Sequence, residues 1–356
     1  MKRFSDLGHL LDSLAEGVFL FDENGIILFW NAAAVSILGF EREEMVGRSV
    51  FTVFRGWNYP WEREESSPGY PLSALGEILA VQSQSGGERM LSLRAAPRFS
   101  RSGSFTGGIG TFRDVSVKLE EMALSQRIQA DLINRQPRCE RLSLDLHFRP
   151  HGVIGGDYFK LFRLAGSYCG FFFGDFTGHG VVGAMYTVMM DKYLAEKHEL
   201  FADLPQLADQ LNRDFCELLA PGYFCTAVLA VLESDTGAVN YIHAASPPFV
   251  VLSLEGTERR YESSSPPLGM FREAQFTVEQ LQLEHGQTLV LFSDGLMEAP
   301  GPNDSRIQLR GVLDALRSLQ GKGQEWHACD LYEELARAHP WHRFEDDVLV
   351  VKLELL

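Results

Sequence analysis

Long apolar runs, regularly spaced cysteines and an excess of positive charge are all missing from this chain of 356 residues. Its longest apolar stretch, 223–232, is about half of the ~20 residues a helix needs to span a bilayer, so no membrane crossing is expected. No basic segment followed by an apolar stretch opens the chain, so no signal peptide is expected and the cytoplasm is the expected compartment. The five cysteines (Cys139, Cys169, Cys216, Cys225 and Cys329) are odd in number and show no Cys-x-x-Cys spacing. Neither a zinc knuckle nor a disulfide framework is expected from them, in keeping with a reducing compartment. Lys and Arg number 32 against 48 Asp and Glu, a formal charge of −16. That balance argues against a nucleic-acid partner, whose footprint is a basic patch. It suits a protein that holds cations or meets a basic surface.

What is present divides unevenly. Residues 1–116 carry 11 basic and 14 acidic side chains, whereas residues 139–356 carry 17 and 31, a net of −14. Between them, 115–136 contains no Gly or Pro and is rich in Glu, Gln, Leu and Ala, which predicts a helix closed by Pro137. Positions 115, 119, 122, 126, 129, 133 and 136 of that helix carry Val, Leu, Met, Gln, Gln, Ile and Gln. This stripe is only half apolar, so two readings stand side by side: a weak coiled-coil seam at which a homodimer could form, and a rigid spacer packed on one domain. The expected organisation is a sensor domain over 1–115, a linker helix over 116–137 and a catalytic domain over 138–356.

In the first part, an apolar strand ends at Asp22-Glu-Asn-Gly25 and a second begins at Ile26, a strong hairpin signal. Asn31 opens a short helix, and further strands are expected over 74–82, 88–97 and 107–114. Helices set among antiparallel strands make an α+β domain. The segments "EGVFLFDENGIILFWNAAAVSILGF", "EEMVGRSV" and "GIGTFRDVS" resemble a PAS sensor domain. The resemblance implies a small-molecule or protein ligand there. Asn31 is a favoured PAS position and also a plain helix cap. His9 would be the one haem ligand to consider, although a histidine near a terminus is usually solvated. No cysteine precedes Cys139, which excludes a flavin–thiol adduct.

The second part alternates strand-like and helix-like segments, again α+β. Its informative residues are aspartates at strand ends. Asp157 follows Ile154-Gly-Gly, Asp175 closes an apolar run, Asp294 follows the strand Thr288–Phe292, and Asp346-Asp347 precede the last strand. A carboxylate at the end of a buried strand is costly unless a cation or hydrogen-bond donors meet it. Four that converge would form an oxygen shell of the kind Mg²⁺ or Mn²⁺ prefers.

The segments "IGGDYF", "FFFGDFTGHGVVGAMY", "FCTAVLAVLESDTGAVNYIHAASPPFVV", "SPPLGM", "LFSDGLMEA" and "EDDVLVVKL" resemble, in order, the metal-dependent serine/threonine phosphatase family (PPM) in its SpoIIE/RsbU branch. "RIQADLINRQP" is similar to that branch's approach helix. The resemblance implies two stacked antiparallel sheets, a β-sandwich flanked by helices, with two Mn²⁺ or Mg²⁺ ions at one end. By matching position it implies Asp175 bridging the metals, with Asp157, Asp294, Asp346 and the Phe176 carbonyl completing the shell. Asp157 and Asp175 would be the catalytic pair, and Asp347 could replace Asp346. Such a centre activates water for in-line attack on phosphorus, so no protein nucleophile is needed. Accordingly the chain has no Gly-x-Ser-x-Gly and no Cys-x5-Arg loop. The implied substrate is a phosphoserine or phosphothreonine protein, an anti-anti-sigma-factor-like regulator. Lys160 departs from the family's usual acidic residue, and with it substrate preference or a third metal is in doubt. His179 is expected to be structural rather than catalytic.

Three other readings compete. Gly155-Gly-Asp-Tyr-Phe159 is similar to a diguanylate cyclase signature, but its fourth position is Tyr158 rather than an acid, and the later aspartates would go unexplained. A histidine kinase is excluded because residues 115–136 contain no histidine. A pseudo-phosphatase acting as a PAS-controlled interaction switch has the same sequence features without turnover.

Overall fold

The structure, a computed structural model, describes residues 8–57, 77–178, 180–299, 306–322, 325–338 and 344–356. The chain forms two compact units, Met1–Met122 and Ala123–Leu356.

In the first unit, β1 (Gly17–Phe21), β2 (Ile27–Trp30), β3 (Glu77–Gln82), β4 (Glu88–Phe99) and β5 (Phe105–Asp114) form one antiparallel sheet in the order β2-β1-β5-β4-β3. The strand expected from residue 74 is described from Glu77 onward; 74–76 lie outside the described residues. The Asp22–Gly25 turn forms because Asp22 Oδ1 accepts from the amides of Asn24 and Ile26, and Gly25 takes φ +75°. Helices α1 (Ala32–Leu38), α2 (Arg42–Met45) and α3 (Val50–Val53) follow β2. Phe19, Trp30, Phe54 and Phe112 fill the core, with the Phe19 and Phe54 rings stacked 4.9 Å apart. His9 is exposed on the helical turn at residues 8–12.

Asn31 is fully buried. Its Oδ1 accepts from Ala34 N, capping α1, and from Val18 N; its Nδ2 donates to the carbonyls of Leu11 and Glu16. The cap and the stitching of β1 to the preceding segment are one side chain. Asn31→Ala should therefore destabilise the first unit by about 2–4 kcal/mol, since it orphans several buried backbone groups. Calorimetry of the full chain checks this, the expected result being a lowered transition for that unit alone.

In the second unit, strands buried on both faces require cover on both sides. One sheet runs β13 (Val278–Gln282), β10 (Ala238–Ala244), β9 (Cys225–Glu233), β8 (Tyr168–Phe176), β7 (Asp157–Arg163). The other runs β12 (Glu258–Tyr261), β11 (Phe249–Leu252), β14 (Thr288–Phe292), β15 (Val348–Leu355), β6 (Leu142–Arg149). Phe159, Phe171, Phe173, Leu289, Leu291, Leu349 and Val351 meet between the sheets. Against the outer face of the first sheet lie α5 (Val181–Lys197) and α6 (Leu204–Leu218). Over the second lie α7 (Asp294–Glu298), α8 (Gln308–Gly321) and α9 (Ala328–Ala338). No helix among the described residues is long and apolar enough to cross a membrane.

Helix α4 (Ser116–Asn134) follows, over its second half, the reading of a spacer packed on one domain. The stripe read as a seam for a second chain is used within the second unit from residue 129 onward. Gln129 and Ile133 are buried there, Gln136 Nε2 donates to Phe159 O, and Gln136 Oε1 accepts from Leu161 N. A glutamine stripe that looks half-committed in sequence is here meeting backbone groups at a sheet end. One correction concerns the cysteines. Cys139 and Cys169 form a disulfide, and Cys216, Cys225 and Cys329 stay free. The chain leaving α4 brings Cys139 against β8, a pairing across 30 residues that spacing does not reveal.

Candidate active site

Strand parity places the carboxylates. On β7, Phe159 and Leu161 face the space between the sheets, so Asp157 does too; on β8, Phe171 and Phe173 set the same parity for Asp175. The two strands pair antiparallel with Asp157 directly opposite Asp175. On the second sheet, Leu289 and Leu291 of β14 share their parity with Ser293, and Leu349 of β15 shares its own with Asp347. The inner rim of the sandwich thus collects Asp157, Asp175, Ser293 and Asp347. Asp294 opens α7 beside it, and Asp346 precedes Asp347.

The glycines are there for closeness. A Cβ on Gly156 would stand 2.6 Å from the Phe176 carbonyl and 3.4 Å from Asp175 Oδ1, so only glycine lets the Asp157 loop lie against that oxygen pair. Gly183 at the start of α5 is pressed against the Gly178 carbonyl in the same way.

Charge at the rim is strongly perturbed. Burial, and then the neighbouring Asp175 and Asp347, push the Asp157 carboxyl well above the usual range, against the Ser293 hydroxyl. Asp157 Oδ2 is buried with no hydrogen-bond partner. Burial, then Asp294, Asp346 and Asp347, push Asp175 up likewise. Asp294 is raised to about 6 by burial first and Asp346 second. Among the described residues no three His, Cys, Asp or Glu side chains stand at metal-holding spacing, so the carboxylates line one rim without closing into a cage. The donor set nonetheless fits hard divalent cations: carboxylates and one backbone carbonyl, an orphaned buried oxygen, and glycines that keep the approach open.

Asp347 and Asp346 differ in role. Asp347 Oδ1 accepts from His151 N at 2.8 Å and Oδ2 from Gly156 N at 2.7 Å, which ties down the loop leading to Asp157. Asp346 is half-buried and spends Oδ1 on the Asp347 amide. The opposite side of that loop is held by α4: Gln129 Nε2 donates to Gly155 O at 2.6 Å, and Gly155 N donates to Gln129 Oε1 at 3.0 Å. Sequence reasoning missed both clamps and Ser293. The one signal for Gln129 is its place on the half-apolar stripe with Ile133, a pattern that a seam between two chains would share. Lys160 lies on the other face of β7 from Asp157, bonded to Asp191 Oδ1 at 2.8 Å together with Tyr158 Oη. His179 lies outside the described residues.

Residues 165–356, more than half of the chain, match the family model described as Stage II sporulation protein E (SpoIIE). The chain belongs to the SpoIIE family. The SpoIIE match contains Asp175, Asp294 and Asp346 and begins after Asp157. Residues 5–115 match the PAS fold. Among curated relatives of this SpoIIE-family chain, phosphoserine phosphatase RsbP of Bacillus subtilis is 21% identical over 182 residues, 50% of this chain and 45% of that protein. Phosphoserine phosphatase RsbU of the same organism is 22% identical over 246 residues, 68% and 72%. The chain thus spans about half the length of RsbP. Among solved structures, the SiaA-PP2C domain of Pseudomonas aeruginosa superposes with a TM-score of 0.53 at 18% identity, covering 67% of this chain and 99% of that one. The PP2C phosphatase domain with a regulatory fragment of SpoIIE from Bacillus subtilis gives 0.50 at 16%, covering 80% and 81%. The second unit has the PP2C-type fold.

A raised folded-state pKa means that ionisation costs the folded state more than the unfolded chain. Stability is therefore lost as pH rises from the ordinary carboxylate range through about 6 for Asp294. With chelator present, the protein should melt higher near about pH 5.5 than near about pH 7.5. Asp294→Asn should raise the melting temperature at the higher pH and shrink the difference. An Asp294→Asn protein with the wild-type pH dependence would contradict this.

Proposed function

We propose that this chain is a metal-dependent protein serine/threonine phosphatase controlled by its PAS domain. The observation that carries the reading is the convergence of Asp157, Asp175 and Asp294 on one rim, each held well above its ordinary pKa, with a buried carboxylate oxygen left unpartnered. Such a cluster at a site edge is what a cation-dependent hydrolase requires. Asp157, Asp175, Asp294, Asp346 and the Phe176 carbonyl would hold two Mn²⁺ or Mg²⁺ ions. When bound, such ions activate water and neutralise phosphoryl charge. The chain's own part is to aim those oxygens. Asp347 and Gln129 fix the loop before Asp157 from two sides, the β7–β8 register sets Asp157 opposite Asp175, and Ser293 bonds the Leu349 amide and steadies the Asp294 end of β14. The substrate class follows the relatives named phosphoserine phosphatase: a phosphoserine or phosphothreonine protein of the anti-anti-sigma kind. A small-molecule or protein ligand at the PAS domain would set the activity.

Turnover of an aryl phosphate and of a phosphoserine peptide, titrated with Mn²⁺, separates this enzyme from a pseudo-phosphatase that binds without hydrolysis. Asp175→Asn should cut turnover by about a hundredfold or more while preserving the fold. Wild-type rates in that variant at saturating Mn²⁺ would overturn the assignment. Gln129→Ala should act differently. It loosens the Gly155 loop rather than removing a ligand, so the Mn²⁺ needed for half-maximal rate should rise several-fold while the rate at saturation is largely recovered. Equal loss at all Mn²⁺ concentrations would show that Gln129 does more than position the loop.

A further inference from the structure

In a segment whose charge is 17 − 31 = −14, one concave surface is lined by arginine. Between β12 and α8 lies a cavity of about 270 Å³ lined by Arg260, Leu309, Arg310, Leu313 and Arg317. The helical residues fall on one face by spacing, with Leu309, Leu313 and Arg317 four apart and Arg310 beside them. Arg260 comes from β12, which among the described residues is an edge strand paired with β11.

The guanidinium groups are pre-positioned. Glu258 Oε1 accepts from Nη2 of both Arg260 and Arg317, each at 2.7 Å, and the Glu258 side chain is only 12% exposed. Arg317 Nη1 also donates to Asp314 at 2.8 Å. A guanidinium has five N–H donors, so each arginine retains donors after these bonds. Three guanidinium groups against the two carboxylates of Glu258 and Asp314 leave a surplus of one positive charge at this spot, within a segment of net negative charge.

We infer that this cleft docks an acidic segment of a protein partner, a short extended stretch with carboxylate side chains around an apolar residue. Guanidinium forks match carboxylates in two-point geometry. Leu309 and Leu313 give the cleft an apolar wall that a bare inorganic anion has no use for. The outer edge of β12, unpaired among the described residues, offers backbone groups to an extended chain. Local positive charge in a segment of net negative charge favours specificity over raw affinity. None of these residues belongs to the carboxylate rim, so docking and hydrolysis can fail independently.

The test uses the full chain and a fluorescein-labelled Glu-Glu-Leu-Glu-Glu peptide, read by anisotropy at low salt and at about 0.5 M salt. The wild type should bind, with affinity falling as salt rises, and a Lys-Lys-Leu-Lys-Lys peptide should not. Arg310→Glu, an exposed position with no ion pair among the described residues, should weaken binding by about tenfold or more without changing the melting temperature. Arg260→Gln should do so to a smaller extent. Aryl phosphate turnover should stay at the wild-type level in both. No binding by the wild type, or unchanged binding by Arg310→Glu, overturns the inference. So does full displacement of the peptide by inorganic phosphate at comparable concentration, which would make the cleft a small-anion site.

Discussion

Carboxylates held where two apolar sheets run out govern the second unit. Each sheet contributes side chains whose parity is fixed by the phenylalanines and leucines beneath them, so the aspartates have no choice of face. Burying them costs free energy because each sits in a poor dielectric beside others of like charge. The sandwich tolerates that cost because it is large: the inner core and both outer cores are filled with aromatic and branched residues. Glycines at 155, 156, 178 and 183 let loops and helix close around the rim without side chains intervening. The site is therefore destabilised locally by the arrangement that suits it to positive ions, and its stability should be linked to whatever cation it meets.

Much of this is legible in the sequence. Asp175 and Asp294 announce themselves because an apolar strand ends at each, and a carboxylate there has few innocent roles. The PAS fold was readable from its hairpin, and Asn31 is the helix cap that its sequence position suggests, with further bonds to the segment before β1. The division of labour between Asp346 and Asp347 was not readable. It depends on which of two adjacent residues shares its parity with Leu349, and the strand boundary decides that. The disulfide was not readable either, since Cys139 and Cys169 meet through tertiary packing. Helices α8 and α9 carry apolar residues at helical spacing, Val312, Leu313, Leu316 and Leu319 among them, and that periodicity went unused. Strands β12 and β13 are short and polar, as edge strands are, and give little pattern to read.

Charge explains why the basic cleft is informative. On a neutral protein a few arginines beside a helix would be ordinary. Here they stand against an excess of carboxylates, held by a half-buried glutamate that binds two of them at once. Keeping guanidinium groups fixed costs side-chain entropy, and an isolated surface ion pair returns little of it. The arrangement gains its value from being ordered in advance, so a partner would find the donors already aimed.

The loop before Asp157 is gripped from two directions by different physics. Asp347 holds it through a carboxylate whose pKa is already raised by burial, so that grip depends on charge and weakens on protonation. Gln129 holds it through an uncharged amide that donates and accepts on the same residue, Gly155, so its grip is indifferent to pH and to nearby cations. Gln129 belongs to α4, a helix that begins in the first unit and ends in the second. A small shift of that helix breaks two hydrogen bonds at once, while the carboxylate grip remains to keep the loop folded. Loss of the amide grip alone would loosen the approach to Asp157 without unfolding the rim. A signal carried by the helix would need an element of that kind, one that can be released without being the site's sole support.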